Sequence, residues 1–111
     1  MRRTLAFLIA AALAGPASAA DSGRKPLVDF AAYSIFIVAN DNCGDLHFDA
    51  EKLRRGMDGF ASTMNWGEKK RRLQARAMVS DNQKKFEADP AGFCASAQKI
   101  VGSYDKDGIR Y

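Results

Sequence analysis

Histidine is nearly absent from this chain of 111 residues: His47 stands alone, with one tryptophan, two cysteines and three prolines. A single imidazole is too little for a multi-histidine metal centre. No G-x-S-x-G surrounds any serine, so Ser–His nucleophilic catalysis is not expected either. The two cysteines form no C-x-x-C, which argues against a thioredoxin-like redox pair or a zinc ribbon. Few prolines, with 47% hydrophobic and 27% charged residues, exclude wholesale disorder and a collagen-like fibre. A chain of this length builds one small domain, too small for most large catalytic architectures.

Also missing is an apolar run of the roughly 20 residues that a spanning helix needs. The run Leu5–Ala14 has ten and then meets Gly15 and Pro16. With Arg2 and Arg3 before it and Ala17-Ser18-Ala19 after it, residues 1–20 have the three-part pattern of a cleaved secretory signal peptide. No cysteine follows that run closely enough for a lipid anchor, since the first is Cys43. The expected address is therefore periplasmic or secreted, with no transmembrane segment after cleavage. Loss of Arg2 and Arg3 leaves 15 cations against 13 anions, a net of only +2. Export and mild charge together make nucleic acid an unexpected partner.

In an oxidising compartment a lone pair of distant cysteines reads most simply as a disulfide, Cys43–Cys94. Closing a loop of that size stabilises the fold by roughly 4 kcal/mol in the chain-entropy account. That is comparable with the whole stability of a small domain.

The remaining sequence reads as helices. After a small polar leader at 21–25, Pro26 suits the first position of a helix running to about Asn42. Leu27, Phe30, Ala31, Ile35 and Val38 fall at helical spacing, and Tyr33, Phe36 and Ile37 extend the apolar surface, as expected of a central, buried helix. A strand over YSIFIVA is the rival reading. Asp49 is placed to cap a second helix whose Leu53, Met57, Phe60, Ala61 and Met64 make one stripe. Gly56 and Gly59 would let another helix approach closely.

Asn65-Trp66-Gly67 interrupts the pattern, and strong helix formers resume from Glu68 to Ala88. The apolar residues of this third helix divide between a Leu73/Ala77 face and an Ala75/Val79/Phe86 face, and Ser80-Asp81-Asn82 offers a break. Asp89-Pro90 starts a fourth helix with Phe93, Ala97, Ile100, Val101 and Tyr104 on its stripe. The expected fold is all-α, a small bundle of about four helices over 26–104 pinned by Cys43–Cys94, with a polar tail at 105–111.

Among chemical constellations, Asp41, Cys43, Asp45, His47 and Asp49 alternate and would share one face of an extended chain. The same residues also serve as turn and cap formers between two helices, so no metal site and no cofactor are expected. DKDG at Asp105–Gly108 lacks the closing glutamate of a calcium loop. The acidic residues fall at caps, turns and solvent faces, so no enzyme activity is expected.

Charge is distributed unevenly. Residues 21–49 carry a net −3, residues 50–85 a net +6 and residues 86–111 a net −1. Arg54, Arg55, Lys69, Lys70, Arg71, Arg72 and Arg76 are the candidate partner-binding residues, suited to an acidic envelope protein, an anionic lipid or lipopolysaccharide phosphates. The alternative is a solvated face paired with Glu51 and Glu68. Trp66 beside this block is either an interface anchor or core.

In size, export signal, helicity and one disulfide spanning about fifty residues, the chain resembles the HdeA-type periplasmic acid-stress chaperones. The resemblance is architectural and carries no functional residue across, and the basic centre departs from that family. It implies, as a second expectation beside partner binding, a holdase that exposes apolar helix surface at low pH.

Overall fold

Pro26 opens the first helix of the computed structural model, which describes residues 24–111. The expected signal peptide at 1–20, and the first part of the leader, lie outside the described residues. Among the described residues four helices run in order: α1 Pro26–Asn42, α2 Ala50–Thr63, α3 Glu68–Ala88 and α4 Pro90–Val101. A short 3-10 turn at Asp105–Asp107 completes the set, and the only β feature among the described residues is an isolated bridge between Phe48 and Arg110. The protein is thus a small all-α bundle.

The segment that could also be read as a strand is helical because it is wanted on every side. Phe30, Ala32, Tyr33, Phe36, Val38 and Ala39 are buried, and α2, α3 and α4 all pack on α1. One expectation fails here: Leu27 is 47% exposed, while Asp29 is buried. The carboxylate of Asp29 accepts from Arg24 Nε at 2.6 Å and from the Tyr104 hydroxyl at 2.7 Å, which offsets its desolvation. Leu27 turns outward.

Local signals set the helix starts. The Asp49 side chain accepts from the Lys52 N–H, and that of Asp89 from the Gly92 N–H. Leu53, Met57 and Ala61 of α2 are buried as their spacing implies, as are Phe93, Ala97 and Val101 of α4. At Gly56 α2 comes so close to α1 that a Cβ would fall on the Tyr33 ring, whereas Gly59 faces open space. The α2–α3 corner is a Schellman motif: Asn65 takes the left-handed conformation at φ 61°, its N–H donates to Ser62 O, and the Trp66 N–H donates to Ala61 O.

Helix α3 is unbroken across Ser80–Asn82. Asn82, its one buried residue, donates to Ser34 Oγ at 3.0 Å, and Ser34 donates in turn to Ala31 O at 2.6 Å. A polar side chain that would have broken the helix in isolation is thereby satisfied inside the core. Of the two apolar faces, Ala75, Val79 and Phe86 turn toward the core and Leu73 is 53% exposed.

Cys43 and Cys94 are joined, with Cα atoms 5.7 Å apart, tying the end of α1 to α4. Beside α1 lies an aromatic cluster: Phe36 stacks on Phe48 at 5.0 Å, and Tyr33 meets Phe60 edge-on at 5.0 Å and Tyr104 at 5.8 Å. The polar tail folds back on it. Ile109 is buried, the Asp49 N–H donates to Ile109 O at 2.6 Å, and the Tyr111 N–H donates to His47 O at 3.3 Å.

Candidate functional site

Helices α2 and α3 both lie on α1 but barely touch each other. A cleft of about 420 Å³ opens between them. Its floor comes from three helices: Phe30 and Ile37 of α1, Met57 of α2, and Ala75 and Val79 of α3. Phe30 and Met57 are buried, and the other three are half-buried and reachable from outside.

The rim is cationic. Arg54 stands on the α2 wall, and Arg71, Arg72 and Arg76 stand on the α3 wall. These positions follow from helix geometry, since residues 72, 75, 76 and 79 share one side of α3 over about two turns, or roughly 10 Å. Phe30 and Ile37, seven apart on α1, match that length. Arg71 makes an ion pair with Asp58 across the cleft, fastening the two walls together, and Arg72 pairs with Glu68 on its own helix at 2.9 Å. Arg54 and Arg76 have no carboxylate within ion-pair distance among the described residues.

Of the seven cations singled out in the sequence, four therefore converge and three do not. Arg55 is exposed and turns to Glu51 at 3.4 Å, Lys70 lies over the Trp66 ring at 5.2 Å, and Lys69 is exposed outside the cleft. Trp66 is half-buried and packs edge-on against Phe30 at 5.2 Å, so it touches a residue that lines the cleft. The apolar floor was not foreseen. The signal available was the Ala75/Val79 pair at helical spacing amid arginines, but that Phe30 and Ile37 lie beneath it is a tertiary fact.

A second polar assembly, also unforeseen, sits where the start of α1 meets the C-terminal segment. Around Asp29 lie Arg24, stacked over the Tyr104 ring at 4.1 Å, and Tyr104 itself. The Tyr33 hydroxyl donates to Asp107 at 3.3 Å. Burial, with Asp107 beside it, pushes the Tyr33 phenol up to about 12. Burial first, and the hydrogen bond to Asp29 second, also raise Tyr104, while that same carboxylate stabilises the charged form of Arg24. These bonds fasten α1 to the C-terminal segment.

The Asp41 to Asp49 stretch does not converge: Asp41, Asp45 and His47 are exposed and Cys43 is spent on the disulfide. No group of three or more His, Cys, Asp or Glu placed to hold a metal occurs among the described residues. None of the described helices is long and apolar enough to cross a membrane. A further cleft of about 540 Å³ lies over the disulfide, lined by Phe86 and Pro90 among others, without a charged rim comparable with that of the α2–α3 cleft.

Comparison with protein-family models, with curated proteins and with solved structures returned no match. The likeness to acid-stress chaperones gains nothing from these comparisons, and the functional reading rests on the geometry of this chain.

Proposed function

We propose that this is a non-enzymatic protein of the cell envelope, periplasmic or secreted, that acts by binding an anionic partner at the basic cleft between α2 and α3. The observation that carries the proposal is the convergence of Arg54, Arg71, Arg72 and Arg76 from two helices on one apolar floor, with Arg54 and Arg76 left without carboxylate partners among the described residues. Guanidinium groups held at the mouth of an apolar recess favour a ligand that is both anionic and apolar. The export address rests on the sequence pattern of residues 1–20.

The test uses the full chain, expressed in an exporting bacterial host and purified oxidised, with intact mass recording its N-terminus. Envelope extract is separated into protein and lipid fractions and offered to the protein and to an Arg54→Glu/Arg76→Glu variant. A defined species retained by the first and lost from the second is the expected result. Identical retention by both, or loss of nothing, overturns the proposal.

The acid-responsive holdase is a second reading, and one feature favours it. Asp29 gathers Arg24 and Tyr104 at the same end as the Tyr33–Asp107 contact, so loss of these contacts would release the start of α1. Suppressed aggregation of unrelated client proteins at acidic but not neutral pH, extended to neutral pH in Asp29→Asn, would support it. Equal client aggregation with and without the protein removes it.

A further inference from the structure

Resting on the cleft reading above, we infer that the natural occupant is a single-chain anionic amphiphile, its hydrocarbon chain on the apolar floor and its phosphate or carboxylate between Arg54 and Arg76. Three observations select this chemistry over a folded partner. The cleft has a volume of about 420 Å³, within the range of small-molecule sites. Its walls are bridged by the Asp58–Arg71 ion pair, which a helix about 10 Å across would have to break and a polymethylene chain would not. The two cations with no carboxylate partner among the described residues stand on opposite walls, Arg54 on α2 and Arg76 on α3, and their guanidinium donors suit a phosphate or carboxylate entering between the walls.

The floor is as specific as the rim. Ile37, Ala75 and Val79 offer aliphatic surface along about two helical turns, and Phe30 closes the bottom. No donor or acceptor side chain rises from that floor, so an inorganic anion would gain nothing from it and a neutral chain would forgo the arginines. Both halves of the ligand are needed. The chemistry is that of a fatty acid or a monoacyl phospholipid taken up as a detached molecule, in contrast to a bilayer gathered at a flat basic face.

Trp66, the only tryptophan, packs on Phe30 and is a built-in reporter for the slot. The experiment is a fluorescence titration of the oxidised protein with octyl, decyl and dodecyl phosphate, each held below its micelle concentration. Inorganic phosphate, the neutral detergent dodecyl maltoside and phosphatidylglycerol vesicles serve as comparison arms. The expected result is a saturable one-to-one change, tightening about fourfold per added methylene. Arg54→Gln with Arg76→Gln should weaken dodecyl phosphate at least tenfold, and Val79→Asp should do the same by placing a carboxylate on the floor. Circular dichroism on each variant separates lost binding from lost fold.

Equal binding of inorganic phosphate overturns the inference by showing an anion site without a chain site. Equal binding of dodecyl maltoside overturns it from the other side, and vesicles that bind while monomeric alkyl phosphates do not show a membrane face. If the capture experiment retains a protein through Arg54 and Arg76 while no alkyl phosphate binds, the cleft reading stands and this one falls. If neither experiment responds to the arginines, both fall.

Discussion

The two flanks of α1 are built on opposite principles. On the α2, α4 and tail flank, Tyr33, Phe36, Phe48, Leu53, Tyr104 and Ile109 are all buried, with Phe36 stacked on Phe48 and Tyr104 edge-on to Tyr33 and Phe36. On the α3 flank a helix of 21 residues contributes one buried residue, the polar Asn82, and the wall toward α2 stays open. Surface area not withdrawn from water on that side is stability forgone, at about 25 cal/mol for each Å² of apolar surface. The difference shows a division of labour: the aromatic flank holds the molecule together, and α3, built from strong helix formers, is free to carry charge.

Substitutions that affect one flank without the other test this division. The largest effect is expected from Cys43→Ser with Cys94→Ser, a loss of about 4 kcal/mol that would show as a large fall in the thermal midpoint. Leucines then provide a matched pair. Leu53→Ala, in the closed flank, should cost about 3 kcal/mol by urea unfolding, and Leu73→Ala, 53% exposed on α3, less than about 0.5 kcal/mol. Near-equal costs would erase the distinction.

Next comes alkali. The raised phenols of Tyr33 and Tyr104 bind their protons more tightly in the folded than in the unfolded chain. Stability from this source is complete below about pH 10, where unfolded tyrosine ionises, and is lost as pH rises toward about 12, the folded value of Tyr33. Tyr33→Phe should flatten the fall in melting temperature across that window while leaving cleft binding unchanged.

Smaller again is Asn82→Ala, at about 1 kcal/mol, because Ser34 keeps its bond to Ala31 O. Smallest is Arg54→Gln with Arg76→Gln, expected within about 0.5 kcal/mol of the parent in denaturant unfolding despite its effect on binding. A large stability loss there would mean that the rim is part of the scaffold.

How far the sequence could be read follows the range of each interaction. Pro26, Asp49, Asp89 and Pro90 act within a turn of themselves, so helix boundaries were legible, including both ends of α3. The disulfide was legible because only one pairing exists. Asp29 was not, since Tyr104 lies 75 residues away along the chain. Nor was the continuity of α3 at Asn82, which depends on Ser34. The basic block announced itself in the charge count, yet its division into four clefted arginines and three outlying cations depends on how α2 and α3 sit over Phe30 and Ile37.

The Cys43–Cys94 link makes residues 43 to 94 a covalent ring that contains all of α2 and α3, with α1 and the end of the chain as its two appendages. A proteolytic cut at the exposed Asn65 or Gly67 would open that ring without releasing either fragment. The clipped protein would run as two pieces only after reduction, with both arginine-bearing walls still tethered until then.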